Sequence, residues 1–328
     1  MEPIIRERFN DDILATARQR YDIAADQIRL LDSFESFMFE YEQAGAAYIL
    51  RLGHSRRRTP ELVHGEVDWI NYLAAGGAGV ARAVLSPGGE LVELIPDGQG
   101  DYFLATAFVK AQGMPVWETE QWGEPFFVAY GRLLGRIHHL SQSYQPANPA
   151  WQRPRWDDPA NLVAHETLSQ ADSLIERRYR DGLAYLQALP RPPEAYGMIH
   201  QDAHTANLFV DADGRITLFD FDDCVYGHFV YDLAMVLFYA VVNRPDADAF
   251  APGFWQAFWR GYEMENTLDP VWLREIPHFM KLREIELYTL LMRDYGLEAL
   301  ADDSWSSRYL HGRLERIEQD VPVITMAF

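Results

Sequence analysis

Cysteine, lysine and positive charge are what this 328-residue chain has least of. Its one cysteine, Cys224, excludes a disulfide framework within the chain and any cysteine-rich zinc site. Basic residues number 29 against 49 acidic ones, for a net charge of −20, and they form no stripe or tail. A nucleic-acid partner needs cations to displace the phosphate counterions, so none is expected. No apolar run approaches the ~18 residues of a membrane span, and no charged-then-apolar leader opens the sequence. Those two absences predict a cytoplasmic protein without a membrane partner. Composition then says what is possible: 48% hydrophobic and 13% aromatic residues exclude disorder and suffice for two lobes. Lysine occurs twice, as Lys110 and Lys281, which constrains any site that calls for one.

The pattern changes character once along the chain. Up to about residue 110 the reading is one helix in DDILATARQRY, then short β-type runs at QIRLLD, SFMFEYE and AAYILRL. A helix from Pro60 to Ala75 follows, opened by the proline and closed by Gly76-Gly77, before two more strands at LVELIP and YFLATAFV. Beyond Gly113 helical spacing dominates, first in EPFFVAYGRLLGRIHHL and later at 163–188, 230–243, 252–263, 269–295 and 304–319. Residues 144–160, rich in Pro, Trp and Asn, read as a surface loop. The domain expectation is a lobe over 1–110 and a second over 111–328, the latter the more acidic.

Inside the helical half lies IHQDAHTANLFVDADGRITLFDFD, residues 199–222, two short apolar runs around a turn at ADG. Asp202 stands five residues before Asn207, the separation of the kinase catalytic loop H-R-D-x-x-x-x-N, and Asp220 follows thirteen residues later. Phosphoryl transfer needs such a set. Oxygen ligands hold a divalent metal across the phosphates while another carboxylate orients the attacking hydroxyl. Taken alone, an Asp-x4-Asn pair before a turn equally well caps a loop.

His200, Asp202, His204 and Asn207, with "LFDFDD" at 218–223, "YDLA" at 231–234 and the "YGRLLGRIHHL" helix, together resemble the aminoglycoside phosphotransferase and choline-kinase-like family. The resemblance runs from about residue 27 to 295. It implies an α+β, protein kinase-like two-lobe fold: a small antiparallel-sheet N-terminal lobe with one main helix that binds nucleotide, and a larger, mostly helical C-terminal lobe for catalysis and substrate. It further implies ATP and Mg²⁺ as cofactors, Asp202 as catalytic residue, and Asn207 and Asp220 as metal ligands. His200 and His204 read as hydrogen-bonders supporting the loop. Asp222 and Asp223 either assist metal or substrate binding or cap the following turn.

The nucleotide end departs from the kinase pattern. The segment expected to cover the phosphates, DSFES, has no glycine, leaving Ser33 and Ser36 as its small, hydroxyl-bearing residues. Arg51 stands where the phosphate-binding lysine is expected. Among Glu61, Glu66 and Asp68, the acid expected to steady it is Glu66, one turn before the apolar face of Trp69, Ile70 and Leu73. By analogy the adenine lies along Phe108 to Lys110 with Thr106 behind it.

The function expected is ATP-dependent transfer of a phosphoryl group to a hydroxyl of a small molecule, with an amine-bearing or sugar-like acceptor favoured by the acidic, aromatic second half. Trp151, Trp156, Asp157, Glu284, Glu286 and Tyr288 are candidates for the acceptor wall. Two other readings stand beside it. A bacterial stress-type Ser/Thr protein kinase is disfavoured because Gly227–Tyr231 leaves no activation segment. A non-catalytic nucleotide-binding scaffold fits the missing glycines but not the intact catalytic set.

Overall fold

A computed structural model describes residues 1–33, 35–168, 173–295 and 304–328. The chain forms two compact units, Met1–Gly113 with Tyr144–Arg153 and Thr217–Asp222, and Met114–Ser143 with Pro154–Ile216 and Asp223–Phe328. Among the described residues no helix is long and apolar enough to cross a membrane.

The first unit is built on an antiparallel sheet of β1 (Ile28–Asp32), β2 (Phe37–Gln43), β3 (Ala46–His54), β4 (Ala83–Val84), β5 (Glu93–Pro96) and β6 (Tyr102–Val109). Its order is β1-β2-β3-β6-β4, with β5 also paired to β6. β2 turns into β3 through Ala44 and Gly45, both at positive φ, as a two-residue type I′ hairpin requires. Strand alternation then sorts the side chains. Leu50 and Leu52 of β3 join Phe103, Ala105 and Ala107 of β6 in one core, with Phe37, Phe39 and Tyr41 of β2. Helices α1 (Pro3–Arg8) and α2 (Asp11–Arg20) cover this core through Ile5, Ile13 and Ala17. Arg51 lies between Leu50 and Leu52, so it takes the other face, where its cross-strand neighbour is Thr106.

The third helix, α3 (Pro60–Ala75), has the expected ends: Thr59 caps the N–H of Leu62, Pro60 opens the first turn and Gly76 follows the last. At 16 residues α3 is the main helix of this unit, and the helix expected in DDILATARQRY is α2; the short α1 was not expected. Neither six-residue α1 nor two-residue β4 is long enough to show a period in sequence. Phe34, in the glycine-free segment, lies outside the described residues.

The second unit is helical. It holds α4 (Glu124–Ser141), α5 (Val163–Leu168), α6 (Leu174–Gln187), α7 (Phe229–Val241), α8 (Ala247–Glu263), α9 (Ile276–Tyr295), α10 (Trp305–Leu310) and α11 (Arg313–Glu318). The helical stretch expected at 163–188 is α5 and α6, and its residues 169–172 lie outside the described residues. The stretch at 304–319 divides at Gly312, whose φ of +64° no helix continues. One short strand pair, β7 (Tyr196–Ile199) with β10 (Val225–His228), completes the unit, and β8 (Leu208–Val210) and β9 (Ile216–Leu218) form the hairpin expected from the LFV and ITLF runs. Residues 144–160 are not a surface loop throughout, since Tyr144 and Trp156 are buried.

Helices α4 and α8 touch backbone to backbone, and glycine is the reason. A Cβ on Gly131 would sit 1.8 Å from the carbonyl oxygen of Phe258, one on Gly261 2.0 Å from that of Val128, and one on Gly135 2.5 Å from that of Tyr262. By contrast, a Cβ on Gly182, inside α6, meets nothing within 4 Å. Gly131→Ala should therefore lose roughly 1–3 kcal/mol by overpacking, and Gly182→Ala should gain about 0.5–1 kcal/mol from backbone entropy. Denaturant unfolding of the two variants checks the opposite signs.

Candidate active site

The loop after β7 is shaped by a carboxylate from another helix. Asp232, on the first turn of α7 and fully buried, accepts the backbone N–H of His200 at 2.9 Å and of Gln201 at 2.7 Å. His138 of α4 approaches the same carboxylate at 3.3 Å. Gln201 is held at φ +71°, a conformation that a side-chain-bearing residue adopts only when its surroundings impose it. The next residue is Asp202, whose N–H donates to Nδ1 of His200 at 3.3 Å. Tyr130 of α4 donates its hydroxyl to the carbonyl of Ala203.

Both carboxylate oxygens of Asp202 have partners. Nδ2 of Asn207 donates to Oδ2 at 3.2 Å and to the Asp202 carbonyl at 2.9 Å. Nε2 of His204 lies 3.2 Å from Oδ2, while its Nδ1 accepts the N–H of Ala206. Arg283, from α9, donates through Nη2 to Oδ1 at 3.0 Å. That guanidinium is itself aimed by Tyr239 of α7, whose hydroxyl accepts from Nε at 3.1 Å and Nη2 at 2.5 Å. Burial alone would raise the Asp202 pKa, but His204, Arg283 and His200 outweigh it and hold the carboxyl below the usual range. Asp202 is thus an ionised, oriented acceptor with a quarter of its side chain exposed.

In the first unit Arg51 and Glu66 form a buried fork, Nη1 to Oε1 and Nη2 to Oε2, each at 2.7 Å. Nε of Arg51 donates to Thr106 at 3.3 Å, and the guanidinium lies 5.1 Å from the centre of the Phe108 ring. Asp222 accepts from Arg57, from Nε of Arg58 at 3.2 Å, and faces Arg51 at 3.9 Å. Burial pushes its pKa up, but Arg58, Arg57, Arg51 and Arg153 more than reverse that. Asp220 sits at φ +64°, a second non-glycine residue in the left-handed region within this motif. Ser36 is buried, with its hydroxyl facing Gly53 of β3. Ser33 is held by its backbone, its carbonyl by Arg6 and its N–H by Asp32. Lys110 pairs with Glu40 at 2.6 Å, so its ammonium is engaged within the sheet.

A sequence model of the phosphotransferase enzyme family matches residues 27–271. The chain belongs to that family. An amicoumacin kinase of Bacillus subtilis (strain 168) is 36% identical over 337 residues, covering 99% of this chain and 97% of the relative. A solved amicoumacin kinase, in complex with AMP-PNP, Ca²⁺ and Ami, superposes with a TM-score of 0.91 at 31% identity, over 100% of this chain and 98% of that one. A microcompartment-associated aminopropanol kinase shares the fold at a TM-score of 0.66 and 22% identity, covering 95% and 98%. The phosphotransferase is thus a small-molecule kinase of α+β, protein kinase-like fold.

The expected acceptor-wall residues fare unequally in this kinase. Asp157 is buried against Arg191 at 2.7 Å. Glu284 is buried between Arg313 at 2.8 Å and Lys281 at 2.9 Å, on the face of α9 away from Asp202. Tyr288 is half-buried on that helix, its hydroxyl pKa raised by burial and by Glu318. Trp151 stacks on His64 at 4.8 Å, and Trp156 packs against Tyr231 and Phe279. Glu286 is the exception. It accepts from Tyr179 at 3.4 Å, and burial pushes its carboxyl up to about 7 against the pull of Arg283 and Tyr179. Asp223 is exposed.

Sequence reasoning missed Arg283, Tyr239, Arg57 and Arg58, and it quoted Asp232 in YDLA without giving it a task. Asp232→Ala leaves two buried N–H donors unpaired and should cost on the order of 2–5 kcal/mol. Turnover should fall even where the protein is still folded. Denaturant unfolding alongside single-turnover kinetics checks both.

Proposed function

We propose that this kinase transfers the γ-phosphoryl group of ATP to a hydroxyl of amicoumacin. The observation that carries the reading is likeness along nearly the whole chain to two amicoumacin kinases, in a sequence that keeps Asp202, Asn207 and Asp220. An ATP-consuming reaction of this kind belongs in the cytoplasm.

Asp202 orients the acceptor hydroxyl. That oxygen bonds to the γ-phosphorus as the bond to the β–γ bridging oxygen breaks, ADP departs, and the hydroxyl proton passes to the Asp202 carboxylate. A carboxyl held below its usual range is a weak base, so its contribution is chiefly orientation, with the proton moving late. Arg51, steadied by Glu66, supplies fixed positive charge for the nucleotide phosphates. Backbone groups from Phe108 to Lys110 take the adenine edge, with Thr106 behind.

The residues fit a divalent cation. Asn207 makes both of the side-chain bonds described above through Nδ2, so its Oδ1 would be available to a metal. The resemblance gives Asp220, described with the first unit, the role of metal ligand as well. No group of three or more His, Cys, Asp or Glu able to cage a metal occurs among the described residues. An ion with one or two protein ligands, completed by phosphate oxygens, is the way Mg²⁺ binds in kinases. A divalent cation held there would supply positive charge against the charge of the nucleotide phosphates.

Glu286 supports an amine-bearing acceptor, being a carboxyl with no ion pair among the described residues, three residues from the arginine that touches Asp202.

An ADP-release assay with amicoumacin and MgATP should show acceptor-dependent turnover. Asp202→Asn should lower kcat by about 10²–10⁴-fold while leaving ATP affinity close to wild type. Turnover retained in that variant would refute the role of Asp202, and absence of turnover in the wild type would refute the acceptor.

A further inference from the structure

The glycine-free segment leaves open which groups hold the far end of the nucleotide. A glycine-rich loop offers backbone N–H groups to phosphate oxygens, and residues 32–36 lack the backbone freedom for that. Arg51 is already committed on all three nitrogens, to Glu66 twice and to Thr106. Next to it is a pocket lined by Ser36, Arg51, Gly53, Arg57, Arg58, Val63 and Asp222. It brings three guanidiniums together, and Asp222 is the one acid among the residues that line it.

Three features make this an oxyanion site. Arg57 and Arg58 immediately precede the capped N-terminus of α3, a helix of 16 residues, so the helix dipole adds to their charge. The pocket takes a carboxylate from the chain itself, that of Asp222, with Arg57 and Arg58 as donors and Arg51 at 3.9 Å. Arg57 and Arg153 also tie the pocket to its surroundings. Arg57 donates to Glu35, in the glycine-free segment. Arg153 holds the Asp222 carbonyl at 2.6 Å and the Leu62 carbonyl at 2.9 Å, fixing the segment after Asp220 to the first turn of α3.

We propose that Arg57 and Arg58 are ligands of the nucleotide polyphosphate, exchanging the Asp222 carboxylate for phosphate oxygens when the nucleotide binds. Guanidinium forks then do the work that backbone N–H groups do in a glycine-rich loop, and Glu35 draws that segment toward the phosphates through Arg57. Asp222 is the internal anion that keeps two clustered cations from repelling one another. The proposal rests on the nucleotide reading above.

Calorimetric titration of the full chain with MgATP and, separately, AMP tests it in the wild type and in Arg57→Met, Arg58→Met and the corresponding lysine variants. Each methionine variant should weaken MgATP by about 10–100-fold and leave AMP within about twofold, with lysine restoring part of the loss. Unchanged MgATP affinity would overturn the assignment. So would an equal loss for MgATP and AMP, the signature of a merely structural arginine. Failure of the wild type to bind MgATP would remove the nucleotide reading itself, and it shows before any substitution is made.

Discussion

The second unit depends on one buried anion. The Asp232 carboxylate is out of solvent, a position that costs several kcal/mol unless every lone pair finds a donor. It finds two backbone N–H groups and a histidine. Those N–H groups belong to the residues just before Asp202, and meeting them turns Gln201 into the left-handed region. A strained backbone persists only where its surroundings over-determine it. Here they do: α7 supplies the carboxylate, α4 supplies His138 and Tyr130, and the α4–α8 glycine contact sets the depth of α4. The Asp202 carboxylate is thus held in place from behind rather than by the loop's own sequence.

Arginine then does most of the electrostatic work, in a chain with two lysines. Arg283 reaches Asp202 from α9, Arg51 forks onto Glu66, and Arg57 and Arg58 converge on Asp222. A guanidinium keeps its charge when buried and can serve two partners in fixed geometry, which an ammonium does less well. The Asp202 and Asp222 carboxyls are held below the usual range by the cations around them. Glu286 has no ion pair among the described residues, and burial raises its pKa against the opposing pull of Arg283 and Tyr179.

What could be read in sequence was whatever is local. Thr59-Pro60 and Gly76 mark the ends of α3, and period-two alternation in YILRL puts Arg51 opposite Leu50 and Leu52. Asp202 and Asn207 are five residues apart, and a single side-chain bond joins them. Arg283 is 81 residues from Asp202, and no spacing announces it. On α9 the sequence suggested Glu284, Glu286 and Tyr288 and not Arg283, although Glu284 is the next residue. One residue turns the side chain by about 100°, so Glu284 meets Arg313 of α11 and Arg283 meets Asp202. Without knowing which helices pack beside α9, the two faces are equivalent. Arg57 and Arg58 were overlooked for a related reason. In SRRRTP they look like solvated charge ahead of a helix, and only the fold supplies Asp222 as their common partner.

Direct phosphoryl transfer to a small molecule leaves a product that can be identified. Mass spectrometry and ³¹P NMR of amicoumacin incubated with the kinase and MgATP should find one phosphate ester on an acceptor hydroxyl, formed in equal amount to ADP. ADP released without a phosphorylated acceptor, or phosphate found on protein alone, would contradict it.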